Sequence, residues 1–114
     1  MTECIFCRII AGEAPAEILY ADEQAVAFRD IHPVASTHIL IVPLQHIASV
    51  NDLEPADEAL VGHLFTVART LARLQGIAEG GYRLIVNTGR NAGQGVFHLH
   101  LHLIGGQRMR FPMG

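Results

Sequence analysis

The sequence predicts an α+β domain built on a mainly antiparallel sheet. Three observations carry this: several short runs rich in apolar and β-branched residues, one long amphipathic helix among them, and a late stretch in which histidine and leucine alternate strictly. The order is short helix, two strands, a third strand, long helix and two final strands. Strands on both sides of one long helix fit that class.

The run from Cys4 to Ala11 puts Ile5 with Ile9 and Phe6 with Ile10 at i,i+4 spacing, and Gly12 follows where a helix stops. It reads as one short helix. After Ala14-Pro15, the segments Glu17 to Tyr20 and Ala25 to Arg29 are short and apolar-rich, and Ala21 to Gln24 between them is polar enough to turn. That is a hairpin. Ile31 to Ser36 reads as a loop from its proline and small residues. Thr37 to Val42 then reads as a central strand rich in β-branched residues, closed by Pro43.

The long helix spans Pro55 to Gln75, with Leu60, Leu64, Val67, Ala68, Leu71 and Leu74 in an apolar stripe of 3.6-residue period. Pro55 suits the first helical position, Asp57 and Glu58 lie in the first turn, Arg69 and Arg73 lie toward the end, and Gly76 supplies the stop. Tyr82 to Thr88 reads as a strand, Gly89 to Gly95 as a glycine-rich loop, and Val96 to Ile104 as the last strand, ending at Gly105-Gly106. There is no internal repeat, linker or low-complexity segment.

A chain of 114 residues, 50% hydrophobic and 17% charged, has the size and apolar content of a single compact domain over 1–114. Disorder is excluded. Eight basic against eleven acidic side chains leave a net charge of −3, so bulk charge does not draw it to a phosphate backbone, and nucleic acid is not expected as a partner. Two cysteines are too few for a disulfide scaffold, and the start carries no basic segment followed by a long apolar run, which together point to the cytoplasm. The longest apolar stretch, Ile39 to Leu44, falls far short of the roughly 20 residues of a membrane span.

The chemistry concentrates in His98-Leu99-His100-Leu101-His102-Leu103. On a strand, this period of two lines the imidazoles along one face and turns the leucines to the other, against the Leu60/Leu64/Leu71 stripe. Successive histidine Cα atoms on that face lie about 6.6 Å apart. Two chemistries suit such a row: a catalytic metal held by two or three imidazoles, or one imidazole acting as nucleophile, since the neutral ring is available near pH 7. The loop Gly89 to Gly95 offers unobstructed backbone N–H groups and the Gln94 amide beside the row, as an anionic phosphorus centre requires. No Gly-Lys-Ser/Thr follows, so this is not a P-loop. Cys4-x-x-Cys7 suits a redox pair, half of a zinc site, or two buried structural thiols; with only three residues before it, the strand that precedes a thioredoxin motif is missing. His63 on the long helix and His32 in a loop show no nameable partner.

The run His98 to Ile104 resembles the alternating motif of the histidine triad (HIT) family. The resemblance extends through Ile5 to Ile10, Phe28 to Ile31, Thr37 to Pro43 with His46-Ile47, Tyr82 to Asn87, Gly93 to Phe97, Gly105-Gly106 and Phe111-Pro112, in order and without large gaps. It is similar to the nucleotide-binding branch, the nucleoside phosphoramidases. It implies a HIT-like fold whose sheet continues across a homodimer, and hydrolysis of purine nucleotide phosphoramidates or acyl conjugates through a nucleotidyl-histidine.

The same resemblance implies His100 as nucleophile, His98 and His102 as flanking groups that orient it and stabilise charge, and His38 as a further site histidine. It implies a purine and ribose pocket at Phe6, Ile9, Phe28, Asp30 and Ile31, with Asp30 on the ribose hydroxyls, and phosphate surroundings at Asn87, Gly93, Gln94, Gly95 and Val96. Zinc, as a fold staple separate from the chemistry, is implied at Cys4, Cys7, His46 and His98. Paired carboxylates are missing from the site, so magnesium is not expected. Gly95 departs from the pattern, since many relatives carry Ser or Thr there, and Phe111 stands where Trp is common. The Gly95 departure gives the rival reading its motive: a nucleotide- or partner-binding module with structural zinc and little turnover.

Overall fold

The computed structural model describes residues 3–110. Five strands form one antiparallel sheet in the order β1-β2-β3-β5-β4: β1 Ile18–Ala21, β2 Ala25–Arg29, β3 Thr37–Pro43, β4 Tyr82–Ile85 and β5 Leu101–Gly105. Two α-helices, α1 Ile5–Ile10 and α2 Glu58–Leu74, pack on its opposite faces. The α+β class and the antiparallel sheet expected from the sequence are both present.

Side-chain alternation divides the faces. Ala25, Ala27, Ile39, Ile41, Leu101 and Leu103 point toward α2 and meet Leu64, Val67, Ala68, Leu71 and Ala72, all buried. The leucines of the histidine row therefore pack on the helix stripe, as their spacing predicts. Val26, Phe28, Leu40 and Val42 point the other way, toward Phe6, Ile9 and Ile10 of α1. Burying the Phe6 side chain there is worth about 1.5–3 kcal/mol to so short a helix. In the ladder His102 faces Leu40 and His38 faces Ile104, so both histidines lie on the α1 face.

Four boundaries differ from expectation. Pro55–Asp57 forms a 3₁₀ turn before α2 because Asp57 Oδ2 accepts the Glu54 N–H at 2.9 Å and tightens the chain. Leu74 ends α2 at 71% exposure, beyond the edge of the core. β4 stops at Ile85, where its pairing with His102 ends, and not at Thr88. β5 starts only at Leu101, not Val96, because the chain from His98 to His100 bonds elsewhere: the Leu99 N–H donates to the Ile47 carbonyl at 2.6 Å. The glycine-rich loop holds a 3₁₀ turn at Arg90–Ala92, entered at Gly89 and left at Gly93 with φ of +82° and +84°, which side chains disfavour. α1 and β1 sit within a residue of their expected bounds.

Candidate active site

Each histidine of the row makes a different set of bonds, and those bonds fix its tautomer. The His98 ring, fully buried, donates from Nε2–H to the carbonyl of Pro43 at the end of β3, at 2.8 Å. Its Nδ1 lone pair therefore points at Cys4 Sγ (3.4 Å), Cys7 Sγ (3.6 Å) and His46 Nδ1 (3.2 Å), while His46 Nδ1 lies 3.3 Å from Cys7 Sγ. Four ligand atoms converge within 4.8 Å of one another. A tetrahedral zinc, with bonds of about 2.3 Å to sulfur and 2.0–2.1 Å to nitrogen, needs ligand atoms about 3.3–3.8 Å apart, so these residues fit the metal. The Pro43 carbonyl is the outer partner that orients a ligating imidazole. Burial lowers the His98 pKa, with the charges of His46 and His100 acting the same way and the Pro43 bond opposing, which keeps the ring neutral as a ligand must be.

His100 turns the other way. Its Nδ1–H donates to the main-chain carbonyl of His98 at 2.8 Å, leaving the lone pair on Nε2. Phe6 meets the ring edge-on at 5.2 Å and also packs edge-on against Phe28 and His98, so the first turn of α1 supports both imidazoles.

His102 is the third case. The Val34 N–H donates to His38 Nδ1 at 3.1 Å, so neutral His38 carries its proton on Nε2 and donates it to His102 Nδ1 at 2.9 Å. The proton of His102 then sits on Nε2, which is buried and has no hydrogen-bond partner among the described residues. An unpaired buried donor costs about 1–3 kcal/mol, and such orphans mark sites that a ligand completes. Its ring centroid is 4.9 Å from that of His100, so the ring that offers a lone pair and the ring that offers an N–H donor are neighbours. Burial, with the neighbouring His100 and His38 charges, holds His102 down to about 4 despite the Asp30 carboxylate, keeping it a neutral donor at neutral pH.

Asp30 completes the group. One carboxylate oxygen accepts the His32 N–H at 2.8 Å and the other lies 3.3 Å from His38 Nε2. Asp30, His38 and His102 are close enough to hold an ion. A metal on His38 Nε2 would need that nitrogen deprotonated, whereas the Val34 N–H already occupies the only other lone pair, on Nδ1, so this cluster shares protons.

A HIT domain model matches residues 11–109. The chain belongs to the HIT family. It is 51% identical over 112 residues, 98% of this chain and 91% of the relative, to the purine nucleoside phosphoramidase of Escherichia coli strain K12. Among solved structures it is similar to a HIT family hydrolase from Legionella pneumophila, with TM-score 0.95 and 46% identity, covering 98% of this chain and 100% of that one. A HIT family hydrolase from Clostridium thermocellum gives TM-score 0.96 and 44% identity over 100% and 99% of the two chains.

Within this HIT domain, Phe6 and Phe28 are buried together, with Ile9 and Val96 packed against them, whereas Ile31 is 81% exposed. Asn87 is half-buried two residues beyond Ile85, the partner of His102. Phe111 and Pro112 lie outside the described residues. Two site expectations change. The Gln94 amide does not face an open phosphate position: Nε2 donates to the Ala48 and Val96 carbonyls at 2.8 and 3.1 Å, and Oε1 accepts the Gly89 N–H at 2.8 Å. It ties the glycine loop shut. The His98 ring, committed to Pro43 and the cysteine cluster, likewise has no nitrogen left for an oxyanion, and it orients His100 through its carbonyl alone.

Sequence reasoning missed the Pro43 carbonyl and the Val34 N–H, since main-chain groups leave no residue signature. It also missed the partner of His63. His63 Nε2 lies 2.7 Å from Asp22 Oδ2, which also accepts the Tyr20 hydroxyl at 2.7 Å, pinning α2 to the β1–β2 turn.

Proposed function

We propose that this HIT hydrolase cleaves purine nucleoside 5′-phosphoramidates and related nucleotide conjugates through a nucleotidyl-histidine on His100. The observation that carries the reading is the pair of neighbouring rings in complementary states: His100, whose Nε2 lone pair is fixed by the His98 carbonyl, and His102, whose Nε2–H is unpaired. His100 Nε2 attacks phosphorus as the phosphorus–nitrogen bond breaks, and the departing nitrogen takes a proton from solvent to leave as the amine, a proton returned by the water of the second step. His102 Nε2–H donates to an oxygen on phosphorus, and water then displaces His100 to release the nucleoside monophosphate. The Gly93 and Gln94 N–H groups donate to the Arg90 and Gly89 carbonyls at 2.9 and 3.1 Å, so of the expected Gly93 to Val96 cradle the N–H groups of Gly95 and Val96 face the phosphate. Phe6, Ile9, Phe28 and Ile31 flank the purine, Asp30 takes the ribose hydroxyls, and Asn87 borders the phosphate. The name of the Escherichia coli relative supports the substrate class.

In this reading Cys4, Cys7, His46 and His98 hold one zinc whose coordination is closed and whose chemistry is structural, and no magnesium takes part. The protein acts as a homodimer with the sheet continued past β4, which pairs only with β5 among the described residues and so presents an edge. It acts on small molecules in the cytoplasm, as one domain, without nucleic acid or membrane. The net charge of −3 argues against a phosphate backbone as partner, and among the described residues no helix is long and apolar enough to cross a membrane.

The test is His100→Ala with adenosine 5′-phosphoramidate. Hydrolysis should be lost while nucleotide affinity stays within a few-fold, and a quenched wild-type reaction should show an acid-labile nucleotide on His100. Full activity in the variant, or label on His98 or His102, overturns the assignment.

A further inference from the structure

The carboxylate of Asp30 has more to do than its place beside a sugar suggests. Two of its roughly four lone-pair sites are engaged, by the His32 N–H and by the approach of His38 Nε2, which leaves two for a vicinal diol. The Asp30 side chain is only 18% exposed and that of His38 5%, so solvent screens their attraction little. The Asp30 N–H donates to the His38 carbonyl at 3.0 Å, which fixes the two backbones to one another. From the carboxylate a line of contacts runs to His38 Nε2 at 3.3 Å, to His102 Nδ1 at 2.9 Å, and through that ring to the unpaired Nε2–H.

We propose that Asp30 is a positioning residue for the His102 donor: together with the Val34 N–H on Nδ1, its charge holds the His38 proton on Nε2, which leaves His102 Nδ1 as acceptor and puts the His102 proton where phosphorus will be. A carboxylate beside an imidazole N–H fixes tautomer and ring orientation. Without it the His38 ring loses the group that opposes its burial, and the Val34 N–H is left as the sole contact favouring that tautomer among those described, so the donor on His102 is held less firmly. The inference rests on the hydrolase reading above and deepens it. The group that recognises ribose also orders the reacting pair, so ribose recognition reaches kcat as well as KM.

Asp30→Asn and Asp30→Ser test this, the latter keeping a side-chain acceptor for the His32 N–H if the former does not fold. Two substrates are compared, the 5′-phosphoramidates of adenosine and of 2′,3′-dideoxyadenosine. The dideoxy compound has no hydroxyl for Asp30 to bind, so a carboxylate that serves ribose alone leaves its kcat within twofold of wild type in both variants. The positioning role lowers that kcat about tenfold or more. In ligand-free enzyme, ¹⁵N spectra should show Nε2–H tautomers for His38 and His102, with a scalar coupling between His38 Nε2 and His102 Nδ1. The tautomer pattern should change in the variants. An unchanged dideoxy kcat, unchanged imidazole shifts, or no such coupling in wild type each overturns the inference. Failure of the wild type to cleave either phosphoramidate discards the hydrolase reading instead, and the spectra still decide whether Asp30 orders the pair.

Discussion

The Nδ1–H of His100 and the main-chain carbonyl of His98 are 2.8 Å apart, so the residue that faces the cysteine cluster also orients the lone pair of its neighbour. The cluster and the chemistry therefore meet in one residue.

That link sets the expected result of zinc removal. Chelation, or Cys7→Ser, should lower the melting temperature by several degrees, because metal-binding free energy is folding free energy. It should also lower kcat of the folded fraction by about threefold or more, since a misplacement on the order of 1 Å is costly at a reacting atom. Elemental analysis should first find one zinc per chain. A kcat that follows the folded fraction alone would make the metal a staple and nothing else.

Acid should destabilise the protein before its carboxylates titrate. His102 is held down to about 4 from its ordinary 6.5, and burial lowers His38 too. Between those values the unfolded chain binds more protons than the native one, so stability rises with pH. The contribution is fully present above 6.5 and is lost as pH falls through about 4, with a slope of at most about 1.4 kcal/mol per pH unit for each group. Urea midpoints at pH 7, 5.5 and 4.5 for wild type and His102→Asn read this directly; the variant should show the shallower decline.

Gly95→Ser should be accepted without strain. A Cβ there meets no heavy atom within 4 Å, and the residue has no positive φ. If the added hydroxyl donates to a phosphorus oxygen, kcat should rise about tenfold, the size of one charge-assisted hydrogen bond. Steady-state kinetics at saturating substrate decide, and an unchanged kcat would show that the hydroxyl does not reach.

Asp22→Ala should cost about 2–3 kcal/mol in urea unfolding at pH 7. Its carboxylate accepts the Tyr20 hydroxyl, the Gln24 and Ala25 N–H groups and the His63 ring. Burial works against its charge, yet these bonds prevail and hold its carboxyl well below the usual carboxylate range. Removing the acceptor leaves part-buried donors unpaired. A loss under about 0.5 kcal/mol would mean that the turn holds without it.

What was legible in the sequence was whatever repeats at a fixed period or rests on a side chain. The alternation at 98–103 assigned the leucines to the helix side, and the 3.6-residue stripe located α2. The boundaries that slipped did so where tertiary bonds overrule local preference. Val96 to His100 has the composition of a strand but gives its bonds to Ile47 and Pro43, and no local pattern encodes a partner about 50 residues away. Gln94 reads as a free amide beside a row of histidines; only the fold shows the Ala48 carbonyl that occupies it.

Both flanks of the reacting pair hang from β3. Its second residue, His38, orders the donor on His102, and its last, Pro43, orients His98 and through it the lone pair of His100. All seven residues of this strand are buried, between the two central pairings of the sheet. Lone pair and donor are thus both mounted on one buried strand. The gap between them is therefore set by the core of the sheet.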